Sequence, residues 1–163
     1  MDILAAQVGG LLKSHGYMLA TAESCTGGGV AQAVTEIAGS SAWFDRGFVT
    51  YANLAKVEQL GVQQATLDMH GAVSEAAVRE MAEGALQHSR AQVALAVSGI
   101  AGPDGGTPEK PVGTVWFAWS VKGKPTVAQV RHLAGSRSEI RAQSVRIALQ
   151  GVVQQLGNHT LLA

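Results

Sequence analysis

A continuous run of five apolar residues, Val93-Ala94-Leu95-Ala96-Val97, constrains the fold of this chain more than any other stretch. Polar residues bound the run, which is typical of a strand buried on both faces in a partly parallel sheet. Helices cover both faces of such a sheet. We therefore predict an α/β fold, a single-domain, three-layer α/β/α arrangement over residues 1–163 with a mixed, mostly parallel sheet of five or six strands.

The spacing of apolar, β-branched and aromatic residues predicts the remaining elements. Asn53 is predicted to cap a short helix over residues 54–60, and Ser136 and Glu139 match a capping box at the start of the last helix. Strands are predicted at residues 17–22, 43–51, 93–97, 112–121 and 126–132.

Composition excludes several classes of protein. With 163 residues, 47% of them hydrophobic and 15% charged, the chain is long enough to bury a core and too apolar to be disordered. Twelve basic and twelve acidic residues leave no net charge, so no nucleic-acid partner is expected. No apolar stretch has the length of a membrane span, and Cys25 is the single cysteine, so we expect a cytoplasmic protein that does not contact a membrane.

A turn rich in hydroxyl groups and glycine lies between a predicted strand and a predicted helix, at Thr21-Ala22-Glu23-Ser24-Cys25-Thr26-Gly27-Gly28-Gly29. A helix N-terminus offers unpaired N–H groups and a partial positive charge, and glycines let a ligand approach the backbone. Ser24 is therefore a candidate nucleophile with an oxyanion hole beside it. Cys25 is the rival, since a thiol at a helix N-terminus has a lowered pKa. The alternative interpretation is a capped helix with glycines for close packing.

A second glycine-rich loop, Ser98 to Gly106, follows the buried strand. Ligands of open α/β sheets bind beyond the carboxyl ends of the strands, where this loop is predicted to lie. Neither loop has the spacing of a dinucleotide-binding or P-loop motif. The five histidines, His159 among them, show no paired ligand spacing, so no metal site is predicted.

The residues available for catalysis favour a serine–lysine pair. No histidine is suitably placed to act as the base, whereas a buried lysine accepts a proton near neutral pH once its pKa is lowered. Lys56 is the candidate base, and Tyr51 is the candidate that orients or relays the proton. Arg137 and Arg141 lie one turn apart at the start of the last helix, where they oppose the helix dipole. Either they are solvated or they meet an anion.

Long motifs in this chain resemble those of the CinA C-terminal domain family. The resemblance covers residues 5–156, and the chain is expected to be the stand-alone, amidohydrolase type of the family. Ser98 stands where the family often has threonine, which keeps the hydroxyl group. The motifs that carry the resemblance are Ala22–Gly28, Gly39–Ser41, Gly47–Tyr51, Ala55–Lys56, Gly71–Glu75, Gly99–Pro103 and Lys110–Val115.

The resemblance implies hydrolysis of the carboxamide of nicotinamide mononucleotide to nicotinate mononucleotide and ammonia, in pyridine nucleotide recycling and without a cofactor. It assigns the nucleophile to Ser24, the base to Lys56 and an assisting role to Tyr51. With the apolar composition, it also implies a homo-oligomer, with a dimer favoured. A non-catalytic nucleotide-binding or competence- and damage-associated module is the alternative. The expected substrate-binding residues are Cys25, Thr26, Gly27, Gly28, Ser98, Gly99, Ile100, Ala101, Gly102, Arg137 and Arg141.

Overall fold

The computed structural model describes the backbone of residues 1–162 and the side chains of residues 1–157, so His159 lies outside the described side chains. Helices and strands alternate as far as residue 60, after which two more helices, three strands and the last helix follow. The helices are α1 (Asp2–His15), α2 (Gly29–Thr35), α3 (Asn53–Leu60), α4 (Gln64–His70), α5 (Glu75–Gln87) and α6 (Arg137–Leu162). The strands are β1 (Leu19–Glu23), β2 (Phe44–Val49), β3 (Val93–Gly99), β4 (Thr114–Val121) and β5 (Val127–His132).

The five strands form one mixed sheet in the order β2-β1-β3-β4-β5. Strand β1 is parallel to β2 and β3, whereas β4 is antiparallel to both β3 and β5. Four strands therefore point the same way and β4 runs against them, which confirms the predicted mixed sheet. Because β1 and β3 are parallel neighbours, the two glycine-rich loops that follow them meet at one edge. The Ser24 N–H donates to the Val97 carbonyl at 3.0 Å, which ties the first loop to the end of β3.

Side chains of different size cover the two faces of the sheet. On one face, large residues of β3 such as Leu95 pack with α1, α2 and α6. On the other face, the central strands present alanines, α5 packs against them, and α3 and α4 pack on α5. The three predicted layers are therefore present, and the alternation of large and small residues along β3 explains its continuous apolar run. The buried alanines of the second face are Ala20, Ala22, Ala94, Ala96 and Ala118.

The ends of two helices test the capping predictions. The Ser136 N–H donates to Glu139 Oε1 at 2.9 Å and the Glu139 N–H donates to Ser136 Oγ at 3.2 Å, so the capping box of α6 is confirmed. The predicted cap at Asn53 is wrong. Asn53 is already the first residue of α3, and its N-cap is Ala52, which has no capping side chain.

Replacement of Gly84 by alanine is expected to destabilise the fold, because α5 crosses the end of α3 at this glycine. A Cβ atom at Gly84 would overlap the backbone carbonyl of Leu60, which cannot move away as a side chain would. We expect a loss of about 1–3 kcal/mol in the free energy of unfolding, measured by urea denaturation. Gly10→Ala is the matched control, since nothing lies near a Cβ atom there. A helical Gly→Ala change of that kind stabilises by about 0.5–1 kcal/mol, and equal effects at both sites would contradict the interpretation.

Candidate active site

Ser24 and Lys56 are in direct contact, although 32 residues separate them in the chain. Lys56 Nζ lies 3.0 Å from Ser24 Oγ, within hydrogen-bonding distance. Ser24 lies on the turn after β1, and Lys56 projects from the first half of α3. The fold therefore brings together the serine and lysine that the sequence pairs, because α3 packs on α5, which itself covers the alanine face of the sheet.

The Lys56 amine is almost fully enclosed, with 1% of the residue exposed. Its other contacts are the backbone carbonyls of Thr50 at 2.7 Å and Tyr51 at 3.2 Å. Burial lowers the pKa of Lys56 below its ordinary value. A neutral amine has two N–H donors and one lone pair. Since the two carbonyls accept only, they take the two N–H groups and leave the lone pair for the Ser24 hydroxyl.

Cys25 lines the same cavity but its thiol is not activated. The residue is 6% exposed, and burial raises the pKa of the thiol to about 11. The N–H groups of Cys25 and Gly99 and the positive charge of Arg141 oppose this shift only in part. The lowered pKa expected of a thiol at a helix N-terminus is therefore wrong here, which leaves Ser24 as the candidate nucleophile. It also removes the thiolate charge that would otherwise raise the pKa of Lys56.

Glu23 occupies the hydrogen-bonding positions at the start of α2, and its charge adds to burial in raising the pKa of the Cys25 thiol. Its carboxylate is fully buried and accepts hydrogen bonds from the Thr26 hydroxyl at 2.6 Å, the Val30 N–H at 2.9 Å and the Ala31 N–H at 3.0 Å. The N-terminus of α2 is thus already satisfied by a residue of the protein. Sequence reasoning missed this role, although an acidic residue shortly before a helix is a signal that could have revealed it.

A cavity of about 300 Å³ opens beside the Ser24–Lys56 pair. It lies between the two glycine-rich loops and the start of α3, so the carboxyl edge of the sheet forms its floor. Ten residues of the predicted site line it: Ser24, Cys25, Tyr51, Lys56, Ser98, Gly99, Ile100, Ala101, Gly102 and Arg137. Sequence reasoning missed five more, of which Asn53 and Asp104 are polar: Asn53, Ala72, Val73, Asp104 and Gly105.

Arg137 spans the mouth of this cavity. Its guanidinium donates one hydrogen bond to the Gly102 carbonyl at 2.8 Å and another to the Tyr51 hydroxyl at 3.0 Å. Two of its five N–H donors are thus engaged, and the others remain available to an anion. Tyr51 is 60% exposed, and its hydroxyl is bound to Arg137, whereas its backbone carbonyl contacts Lys56.

Four residues of the predicted substrate-binding set do not line the cavity: Thr26, Gly27, Gly28 and Arg141. The Thr26 hydroxyl is bound to Glu23, and the two glycines form the tight part of the turn with positive φ angles. Arg141 lies behind the turn, where its Nε donates to the Cys25 carbonyl at 3.0 Å. The two arginines therefore separate, one at the mouth of the cavity and one behind the nucleophile.

Two of the expected absences, of a metal site and of a membrane span, can be compared with the residues that the structure describes. Within residues 1–157, no cluster of histidine, cysteine, aspartate and glutamate side chains has the geometry to hold a metal ion. Among the helices that the structure describes, none is both long and apolar enough to span a bilayer.

Comparison with known proteins identifies the family. The model of the CinA C-terminal domain matches residues 1–156. The chain belongs to this family. Relatives in the family include the nicotinamide-nucleotide amidohydrolase PncC of Escherichia coli K12, which is 54% identical over 157 residues, covering 96% of this chain and 95% of the relative. The protein of the same name from Pseudomonas putida is 49% identical over 151 residues, covering 93% and 94%.

A solved structure supports the same assignment. The competence/damage inducible protein CihA from Agrobacterium tumefaciens superposes with a TM-score of 0.91 at 49% sequence identity, covering 94% of this chain and 93% of that one. The sequence resemblance to the CinA family and the predicted α/β fold are therefore both confirmed.

Proposed function

We propose that this chain hydrolyses the carboxamide of nicotinamide mononucleotide, giving nicotinate mononucleotide and ammonia. The hydrogen bond between Lys56 Nζ and Ser24 Oγ, inside a cavity lined by a glycine-rich loop and Arg137, is the observation that carries the proposal. The names of the Escherichia coli and Pseudomonas putida relatives support the substrate and agree with the prediction that the chain is an amidase.

Proton transfer within the pair starts the reaction. Neutral Lys56 accepts the Ser24 proton as Oγ attacks the carboxamide carbon, and a tetrahedral intermediate forms. Lys56 then gives the proton to the departing nitrogen, so the C–N bond breaks and ammonia leaves. Lys56 then takes a proton from a water molecule, which attacks the carbonyl carbon of the Ser24 ester. The bond between that carbon and Ser24 Oγ breaks, Oγ takes the proton back from Lys56, and nicotinate mononucleotide is released.

The developing oxyanion needs N–H donors near Ser24. The three N–H groups that follow Ser24 in the turn belong to Cys25, Thr26 and Gly27, and the Gly27 N–H already donates to the Ser24 carbonyl at 3.0 Å. Since the N–H groups of Val30 and Ala31 bind Glu23, the start of α2 contributes none either. The donors in this proposal are the N–H of Cys25, whose residue lines the cavity, and the N–H of Thr26, the next residue of the turn, which is buried behind the cavity lining.

Arg137 and the glycine-rich loop are assigned to the substrate phosphate. A guanidinium with free N–H donors binds phosphate strongly, and the exposed position of Arg137 at the cavity mouth suits the distal end of a nucleotide. Tyr51 assists in two ways in this proposal. Its carbonyl holds the Lys56 amine, and its hydroxyl holds the Arg137 guanidinium.

The activity is expected to rise with pH through the pKa of Lys56. The base works only when the amine is neutral, and burial places its pKa below the ordinary lysine value. We expect the acidic limb of kcat/KM, measured from pH 5 to 10, to have its midpoint below that ordinary value. A limb at or above the ordinary lysine value would contradict a buried neutral base.

Ammonia release from nicotinamide mononucleotide by the purified chain tests the proposed function directly. Steady turnover supports it, and conversion of other amides at equal rates would widen the substrate class. The similarity to a competence/damage inducible protein of Agrobacterium tumefaciens favours the second candidate, a competence- and damage-associated module without catalysis. Tight binding of the nucleotide by a folded chain that releases no ammonia would select that candidate.

Several expectations stay predictions alongside this proposal. They are the single domain over residues 1–163, the cytoplasmic location, the homo-oligomer with a dimer favoured, and the independence from a cofactor. Size-exclusion chromatography with light scattering measures the oligomeric state.

A further inference from the structure

We propose that Arg141 is a positioning residue, which holds the Cys25–Thr26 peptide so that the Thr26 N–H stays available to the oxyanion. The proposal rests on the proposed amide hydrolysis. It replaces the expectation that Arg141 binds substrate, since the Arg141 guanidinium donates to the carbonyls of Cys25 and Thr26 instead.

The contacts of Arg141 are with carbonyl groups of the nucleophile turn. Its Nε donates to the Cys25 carbonyl at 3.0 Å, and its second guanidinium nitrogen lies 3.4 Å from the Thr26 carbonyl. The Cys25–Thr26 peptide is trans. In a trans peptide the carbonyl and the next N–H point in opposite directions. Fixing the Cys25 carbonyl toward Arg141 therefore directs the Thr26 N–H to the other side of the turn.

The Thr26 N–H is unusual because it is enclosed and unpaired. Thr26 is 2% exposed, and no acceptor is found for its N–H within the part of the chain that the structure describes. Buried N–H groups without a partner are rare, because each costs the free energy of a lost hydrogen bond. Here the cost is borne next to the nucleophile, where a tetrahedral oxyanion would satisfy the group.

Two other residues support the same arrangement. Glu23 accepts a hydrogen bond from the Thr26 hydroxyl, so a carboxylate restrains the side chain of Thr26 while the Arg141 guanidinium restrains the Cys25 carbonyl. Gly27 has a φ angle of +61°, and a Cβ atom there would lie 3.1 Å from a guanidinium nitrogen of Arg141. Glycine therefore permits both the turn and the close approach of the arginine.

The test compares Arg141→Met with the matched control Arg146→Met, an exposed arginine on the same helix. For Arg141→Met we expect kcat to fall by about 10- to 100-fold, since loss of a whole oxyanion donor costs about 10²–10³. KM and the affinity for nicotinate mononucleotide should change by less than about twofold. Arg141→Lys should recover part of kcat, because an ammonium can still donate to the Cys25 carbonyl. Arg146→Met should match the unaltered protein.

A raised KM with unchanged kcat in Arg141→Met would overturn the proposal and show that Arg141 binds substrate. Unchanged kinetics would also overturn it. If circular dichroism shows that Arg141→Met does not fold, Arg141→Lys is measured instead. A lowered kcat in that variant supports the positioning role, and a raised KM with unchanged kcat overturns it.

A fluorophosphonate probe separates this proposal from the proposed substrate. Ser24 Oγ forms a bond to phosphorus, fluoride leaves, and Lys56 takes the serine proton, so labelling needs the oxyanion donors but no nucleotide. Slower labelling of Arg141→Met than of the unaltered protein supports the positioning role even if nicotinamide mononucleotide is not hydrolysed. Equal labelling rates would overturn the role, and an unlabelled Ser24 in the unaltered protein would overturn both proposals.

Discussion

Replacing Ser24 by alanine is expected to lower the rate of ammonia release from nicotinamide mononucleotide by about 10⁴-fold or more. The substitution removes the oxygen that Lys56 contacts and that forms the ester intermediate. Cys25 cannot take over, because its thiol has a pKa of about 11 and stays protonated at neutral pH. The rate is measured as ammonia released per active site.

Binding is the readout that separates loss of chemistry from loss of the site. Ser24→Ala should keep its affinity for nicotinate mononucleotide in calorimetry, because the change removes one atom and leaves Arg137 and the glycine-rich loop in place. Ser14→Ala, a hydroxyl deletion at the exposed end of α1, is the control for an unrelated serine and should be fully active. Full activity in Ser24→Ala would exclude the serine mechanism.

Replacing Lys56 by methionine is the second large effect, with an expected loss of about 10²–10⁴-fold in kcat from removal of the general base. Methionine resembles lysine in length but has no amine, so the buried position remains filled. The carbonyls of Thr50 and Tyr51 lose their donors, at a cost of about 1–3 kcal/mol for each group left unsatisfied. Part of that cost is offset because methionine at this position, unlike lysine, buries no polar amine.

The pH dependence of stability identifies the lysine independently of catalysis. Because the pKa of Lys56 is lower in the folded state, the unfolded chain binds more protons between the folded value and the ordinary one. The free energy of unfolding contributed by Lys56 therefore rises with pH across that window and falls as pH drops through the folded pKa. Urea denaturation of Lys56→Met should lack this rise. An identical pH profile in both proteins would show that the buried amine is charged in the folded state.

Local signals in the sequence were sufficient for the fold and the central pair. The apolar run at β3 predicts a buried strand because both of its faces are covered, and Ser24 and Lys56 lie at the ends of elements that the sheet brings together. Pattern alone does not say which face of β3 carries the α5 layer. In the structure, α5 covers the face that carries Ala94 and Ala96, because these small side chains let a helix pack close to the sheet.

The sequence does not predict the roles that depend on the direction in which a side chain points. Arg137 and Arg141 are one helical turn apart and look equivalent in sequence, yet one bounds the cavity and the other lies behind the turn. An acidic residue shortly before a helix is a signal for a role of Glu23 at the helix start, but its partners, the N–H groups of Val30 and Ala31, follow only from the path of the turn. Asn53 was interpreted as a cap because its residue type favours that position, whereas its side chain lines the cavity.

The alanine face of the sheet sets the distance between the helical layer that carries Lys56 and the sheet edge that carries Ser24. Ser24 belongs to the sheet edge itself, whereas Lys56 is carried by α3, which rests on α5 through the close contact at Gly84. A larger residue at Ala94 or Ala96 would push the helical layer away from the sheet, and this would move the Lys56 amine away from the Ser24 hydroxyl. We therefore expect volume changes at these two alanines, although they lie in the packed layer and not in the cavity, to change the distance between Lys56 and Ser24.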